Sequence, residues 1–138
     1  MTSIPNGDAT RVLNDFQRDA RAMLEYLLPA LRQRGLYPEA QVDGWGDSRG
    51  GRGIASTVTL ASPKWLKPTD KTKQLARLRL QLSESDTWAV IVSVVAQPDQ
   101  IHAWPPADES AWWTEQRELI RVQIMEYHDT KAERPEVE

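Results

Sequence analysis

Histidines and paired carboxylates are the groups that a catalytic or metal site would draw on, and this chain has only 2 histidines. His102 follows Asp99 at a spacing that could supply two metal ligands, but no third or fourth ligand is evident beside them. His128 falls at the predicted end of a helix, where an imidazolium interacts favourably with the helix dipole. Ser48, next to Asp47, could act as a nucleophile, yet no residue is identifiable as its base.

The sequence motifs of common hydrolases and metalloproteases are absent, and no compact pair of carboxylates occurs. There is no cysteine, which excludes disulfides, thiolate catalysis and cysteine-based zinc sites. We therefore predict a non-enzymatic protein with no bound metal or cofactor. An enzyme built on Asp47, Ser48 and His102 is a remote alternative, because active sites assembled from distant residues escape a motif search.

The distribution of charge along the chain is its most informative feature. Residues 49–79 carry eight cations against Asp70 alone, a net charge of +7, whereas residues 80–138 carry 4 cations and 12 acids, a net charge of −8. The first 48 residues have a net charge of −2, and the whole chain has a net charge of −3. A cationic segment inside an acidic protein predicts a surface that faces an anionic partner.

Residues 44–53, called here the Arg-Gly loop, contain five glycines together with Arg49 and Arg52. The glycine spacing matches half of a phosphate-binding loop, but the required lysine and hydroxyl residue are missing and a strand, not a helix, follows. Residues 49–53 resemble a single arginine-glycine box of RNA-binding tails, in which a flexible backbone lets guanidiniums reach phosphates. A solvated hairpin loop is the alternative interpretation.

Residues 62–73, called here the Lys/Trp loop, contain four lysines and one tryptophan. The tryptophan lies between Pro63 and Pro68. Lys64 and Lys67 flank Trp65, so the loop could track a phosphate backbone while the indole stacks on a base. The same residues could equally grip an acidic groove on another protein, with Trp65 as the anchor. In the third interpretation, Trp65 closes the end of the core and the lysines are merely solvated.

Arg77 and Arg79 are predicted to project from one face of a strand, because they lie two residues apart in an alternating segment. Outward charges in a strand commonly protect a sheet from pairing with other chains. The two arginines become a candidate binding site because the Arg-Gly and Lys/Trp loops add charge of the same sign. Whether the three regions lie together depends on the fold.

Apolar periodicity predicts the elements that must position these residues. A helical spacing extends from Thr10 to Arg34, with an interruption at Pro29 and a stop at Gly35. A second helix begins after a cap at Asp108 and ends near His128. Between the helices, alternating patterns predict strands at Ala40–Trp45, Ile54–Ala61, Gln74–Ser83 and Thr87–Gln97, followed by a rigid, proline-rich connector at 98–107.

The order α-β-β-β-β-α predicts an α+β fold of two layers: a four-stranded antiparallel sheet with the N- and C-terminal helices packed on one face. Residues 1–128 would form a single domain, and residues 129–138 a disordered, charged tail. Several small α+β folds share this order, so it identifies no family. The open face of the sheet would carry a half-polar, half-aliphatic set of residues: Thr57, Thr59, Arg77, Arg79, Gln81, Ile91, Ser93 and Val95.

The chain contains no apolar run of the length that a membrane span requires, and residues 1–8 lack the pattern of a signal peptide. With a hydrophobic content of 40% and a charged content of 27%, the composition is that of an ordinary globular protein. These features predict a cytoplasmic protein that does not associate with a membrane, as a monomer or a homodimer.

We predict that this chain is a small protein-binding module, such as an adaptor, an inhibitor or a chaperone, that grips an acidic partner. Its binding residues would be the following cations and one tryptophan: Arg49, Arg52, Lys64, Trp65, Lys67, Arg77 and Arg79. The alternative is a module for RNA or single-stranded nucleic acid, in which the same cations contact phosphates and Trp65 stacks. Overall acidity favours the first hypothesis, because nucleic-acid-binding domains are more often basic.

Overall fold

In the part of the chain that the structure describes, the elements follow one another as a helical pair, five strands and a final helix. The structure, a computed structural model, describes residues 6–46, 54–61, 74–83 and 87–133. The elements are α1 (Asn6–Tyr26), α2 (Leu28–Gln33), β1 (Glu39–Gly46), β2 (Ile54–Ala61), β3 (Gln74–Leu82), β4 (Trp88–Val94), β5 (Gln100–Ala103) and α3 (Glu109–Glu133). The predicted α+β class is confirmed.

The five strands form one antiparallel sheet in which each strand pairs with its neighbours in sequence, in the order β1-β2-β3-β4-β5. The prediction of four strands was therefore wrong by one. Residues 98–107, predicted as a connector, contain β5, whose Ile101 pairs with Ile91 of β4. Pro98 and Pro105 flank this segment, but the four residues of β5 contain no proline and keep the amides that a strand needs.

The break that Pro29 was predicted to cause lies between α1 and α2. α1 ends at Tyr26, and α2 begins at Leu28 with the proline in its first turn, where a missing amide costs no helical hydrogen bond. Gly35 ends α2 with a φ of 83°, a left-handed conformation that glycine adopts without steric cost. Its amide donates to the Arg32 carbonyl at 3.0 Å, and the Leu36 amide donates to the Leu31 carbonyl at 3.0 Å.

α1 and α3 pack on the same face of the sheet, called here the inner face. Leu13 and Phe16 of α1, and Ile120 of α3, belong to one buried cluster with alternate residues of the strands. These alternate residues include Val58, Leu60, Leu78, Leu80, Val90 and Val92, all with 3% exposure or less. The burial of these apolar side chains is the main stabilising contribution of the fold.

α3 begins as predicted and extends beyond its predicted end. The Asp108 carboxylate accepts a hydrogen bond from the Ala111 amide at 3.1 Å, and this cap satisfies a donor that the first helical turn leaves without a partner. The helix continues past His128 to Glu133, because no helix-breaking residue occurs before Pro135. Asp129, predicted to begin a disordered tail, is helical and forms an ion pair with Arg34 at the end of α2. Residues 134–138 lie outside the described residues.

A cluster of aromatic rings joins α1, the segment after β5 and α3. The Trp104 ring lies 5.4 Å from the Phe16 ring, 5.2 Å from the Trp112 ring and 5.7 Å from the Trp113 ring, measured between centroids. The geometries are edge-to-face, the arrangement that the charge distribution of aromatic rings favours. These rings close the core where the two long helices meet the last strand.

Candidate protein-binding face

The face of the sheet that does not contact the helices is called here the outer face, and its centre is Arg79 of β3. In the strand register Arg79 lies opposite Thr57 of β2 on one side and Ile91 of β4 on the other. Ile91 in turn lies opposite Ile101 of β5. Directly opposed residues of paired strands share a face, so this row passes from a hydroxyl through a guanidinium to two aliphatic side chains.

A second row is centred on Arg77, as the predicted alternation of β3 requires. Arg77 lies opposite Thr59 of β2 and Ser93 of β4, and Thr59 lies opposite Gln41 of β1. The two rows confirm that Arg77 and Arg79 lie on the same face, while Leu78 between them faces the core.

The Arg79 side chain bends across the sheet surface toward polar neighbours. Its Nη1 donates a hydrogen bond to the Thr57 hydroxyl at 3.3 Å, and its Nε donates to the Gln81 side-chain oxygen at 3.2 Å. Thr57 is only 8% exposed although it lies on the outer face. The guanidinium is therefore held over β2 and β3, which reduces the entropy that it would lose on binding a partner.

Arg77 is half-buried, and its Nε has no hydrogen-bond acceptor. The hydroxyl of Ser93, its cross-strand neighbour, is also buried without a partner. A buried polar atom without a partner costs about 1–3 kcal/mol, so the Arg77 Nε and the Ser93 hydroxyl each lower the free energy of unfolding.

Within the described part of the chain, no acidic side chain forms an ion pair with Arg77 or Arg79. Residues 80–138, with a net charge of −8, are the part of the chain whose carboxylates could neutralise these cations. α3 contacts the inner face, so the sheet separates its carboxylates from both arginines. Glu118 of α3 pairs instead with Arg121 at 2.6 Å, and this hydrogen bond lowers the pKa of Glu118.

The aliphatic part of the outer face extends to the β5 edge of the sheet. Ile91 is half-buried, whereas Ile101 is 73% exposed, an unusually large exposure for an isoleucine. Ile101 was missed as a site residue because its segment was predicted to be a connector. Its apolar side chain within a four-residue segment between prolines is the only signal that the sequence offers.

The prediction that Val95 belongs to the open face was wrong. Val95 follows the end of β4, and its side chain packs against the core. The Val95 amide donates to the Leu75 carbonyl at 2.9 Å, and Ala96 then takes a φ of 63°, which turns the chain away from β4. The two-residue alternation therefore stops at Val94, and the aliphatic patch of the outer face is formed by Ile91 and Ile101.

The two cationic loops are attached at opposite ends of β2. Residues 44–46 of the Arg-Gly loop belong to β1, and the rest of this loop joins β1 to Ile54. The Lys/Trp loop joins Ala61 to β3, so the attachment points of the two loops on β2 are roughly 23 Å apart at the usual rise of a strand. The predicted site residues Arg49, Arg52, Lys64, Trp65 and Lys67 lie outside the described residues. Of the predicted set, the structure therefore describes and brings together only Arg77 and Arg79.

His102, the strongest candidate for catalytic or metal chemistry, lies on the inner face of β5. Its ring contacts the Trp112 ring at 5.7 Å between centroids, and its Nε2 lies 3.3 Å from the Gln100 side-chain oxygen. Among the described residues, no three histidine or acidic side chains come together as they would around a metal ion. The geometry of His102 is that of a half-buried side chain at the rim of the aromatic cluster.

Comparisons with protein-family models, with curated proteins and with solved structures give no match to this chain. Neither α1 nor α3, the long helices in the described part of the chain, carries the apolar stretch of a membrane-spanning helix. The function of the candidate site must therefore be inferred from the geometry and the charge of its described residues.

Proposed function

We propose that this protein is a non-enzymatic binding module that holds an acidic segment of a partner protein on the outer face. The observation that carries the proposal is the pair Arg77 and Arg79, which lack acidic partners in the described residues and share the outer face with the exposed Ile101. A partner with carboxylates and a neighbouring apolar side chain would match both parts of this surface.

Charge argues against a second copy of the chain as the occupant of the outer face. A symmetric contact places the same patch of both copies together, so Arg77 and Arg79 would meet the same two cations of the other copy. Like charges in contact are unfavourable, whereas carboxylates from a different protein would form charge-assisted hydrogen bonds. The outer face is therefore suited to a heterologous acidic partner.

A nucleic-acid partner remains the second candidate, because the net charge of +7 in residues 49–79 would attract phosphates. Single-stranded nucleic acid is usually held by aromatic side chains that stack on bases. The described side chains of the outer face are aliphatic or polar, and the tryptophan of β4, Trp88, packs against the core. This composition favours the protein partner over the nucleic acid.

The test is a fluorescence anisotropy titration with three labelled probes: a peptide of alternating glutamate and leucine, a mixed-sequence single strand and a duplex. We expect the peptide to bind at physiological salt and the double variant Arg77→Gln, Arg79→Gln to bind it at least tenfold more weakly, because both charge-assisted contacts are lost. The control Arg32→Gln, Arg121→Gln removes the same charge from exposed helical sites and should bind like the unsubstituted protein.

The apolar part of the face is tested with Ile101→Ser, and Val122→Ser on α3 is its control. We expect a loss of peptide affinity with Ile101→Ser alone. Peptide binding that neither the arginine variant nor Ile101→Ser weakens would overturn the proposal. Salt-sensitive binding of the single strand would support the nucleic-acid alternative, if the variant Arg49→Ala, Arg52→Ala, Lys64→Ala, Lys67→Ala abolishes it.

A further inference from the structure

The two edges of the sheet differ in how well they are protected from another strand. β5 is a strand of 4 residues that lies between Pro98 and Pro105. A short edge strand flanked by prolines is a common protection against pairing with a strand of another chain. β1 has 8 residues, and it pairs regularly with β2 from Glu39 to Asp43 before a bulge. Its side away from β2 has no strand partner in the described part of the chain.

A groove lies between this edge strand and α1. Val42 of β1 is in register with Val58, which is fully buried, but Val42 itself is 37% exposed. The groove has a volume of about 520 Å³, and its lining residues are Val42 of β1 and Asn14, Gln17, Arg18, Arg21, Ala22 and Glu25 of α1. An unpaired strand edge is a typical site for the addition of a strand.

Two charged residues of the α1 wall of the groove, Arg18 and Glu25, are complementary to each other. Arg18 and Glu25 lie on either side of Ala22, and their present partners belong to the same helix: Arg18 pairs with Asp19 at 3.0 Å, and Arg21 pairs with Glu25 at 3.2 Å. In an antiparallel arrangement of two α1 helices centred near Ala22, Arg18 of each copy would lie opposite Glu25 of the other. A two-fold axis makes both contacts at once.

The expected distance between the two α1 helices fits the same arrangement. α1 packs over β1 and β2, so its axis lies above the space between these strands. Two β1 strands paired across a two-fold axis would be about 4.8 Å apart, which places the two α1 axes about 10 Å apart. This value is at the usual distance of packed helices, and Ala22 provides a small side chain at the closest approach.

We propose that two copies of this chain associate through β1, with antiparallel pairing of the two β1 strands and packing of the two α1 helices in the grooves. With the axis at Val42, this residue lies opposite the partner's Val42, and Gln41 lies opposite the partner's Asp43. The result is one continuous sheet across both copies, and the outer faces of both copies lie on the same side of it.

The first test is the molar mass in solution, measured by sedimentation velocity over a wide range of protein concentration. We expect a dimer for the unsubstituted protein and a monomer for Val42→Lys, which places two ammonium groups at the axis. The control is Val122→Lys on α3, because Val122 is 39% exposed and thus closely matched to Val42. A monomer of the unsubstituted protein at all concentrations, or equal dissociation by both variants, would overturn the proposal.

A charge exchange provides a second test that leaves the strand unchanged. Arg18→Glu and Glu25→Arg should each weaken the dimer, by about two- to tenfold for exposed ion pairs, and the double variant should recover affinity. Absence of recovery would contradict the proposed helix register. Amide hydrogen exchange of β1 should slow as the protein concentration rises, and exchange independent of concentration would contradict the strand pairing.

The dimer and the proposed function can fail separately. The outer-face variant Arg77→Gln, Arg79→Gln should remain dimeric, because neither arginine lies near β1's free edge. A monomeric outer-face variant would place the interface on the outer face and would overturn the pairing through β1.

Discussion

The sheet has two faces, formed by alternate residues of its strands. The two faces differ in what covers their side chains. On the inner face, Leu78 and Leu80 are fully buried by residues from two helices and two neighbouring strands. On the outer face, Thr57 and Thr59 are also buried, yet no described helix lies above them. The hydrogen bond from Arg79 to Thr57 indicates that the arginine side chains provide part of this cover.

This difference separates stability from binding within a single strand. Removing an inner-face side chain leaves a cavity in a packed interior, whereas removing an outer-face arginine leaves a surface that water can reach. Mutations on the inner face should therefore change the free energy of unfolding, and mutations on the outer face should mainly change binding.

The largest effect is expected for Leu78→Ala at the centre of the inner face. We expect a loss of about 2–5 kcal/mol in the free energy of unfolding, because the fully buried leucine would leave a cavity in the core. Urea denaturation followed by circular dichroism measures this value. Arg77→Ala, one residue earlier on the outer face, is the control, and an equally large loss in that variant would contradict the separation of the two faces.

A smaller effect is expected for Thr57→Val, which keeps the shape of the side chain but removes the hydroxyl that accepts from Arg79. The expected cost is about 0.5–1.5 kcal/mol in the free energy of unfolding. Thr59→Val is the matched control, because Thr59 is equally buried but lies opposite Arg77. If the two variants have the same stability, the hydrogen bond between Arg79 and Thr57 contributes nothing measurable to the outer face.

The smallest effect is expected for Ser93→Ala, beside Arg77. The Ser93 hydroxyl is buried without a partner, so its removal should be neutral or stabilise the protein by up to about 1 kcal/mol. Ser56→Ala provides the same comparison on the inner face, where the hydroxyl is likewise buried without a partner. A clear destabilisation by Ser93→Ala would show that its hydroxyl has a partner in solution.

Much of the fold could be predicted because local signals agreed with one another. Pro29 and Gly35 fixed the helix boundaries through backbone geometry alone, and the alternation around Leu78 placed Arg77 and Arg79 on one face. β5 could not be predicted in the same way. Four residues carry too little periodicity, and this strand is stabilised by pairing with β4 rather than by its own sequence.

The candidate site was predictable from alternation in its β2 and β3 parts and in most of its β4 part. The alternation of β4 gave the correct face for Ile91 and failed at Val95, where a backbone turn at Ala96 ends the strand. The contribution of Ile101 depended on a strand that the sequence did not indicate. The separation of α3 from the arginines follows from the layer order, which is a property of the whole fold.

The aromatic cluster also gives the protein an optical signature of its own. Trp104, Trp112 and Trp113 have ring centroids within 5.7 Å of one another at steep mutual angles, so their electronic transitions should couple. Coupled indoles held in a fixed chiral arrangement produce a strong pair of opposite bands in circular dichroism. Because the three rings belong to the segment after β5 and to α3, these bands report the packing of that segment against α3 separately from the sheet.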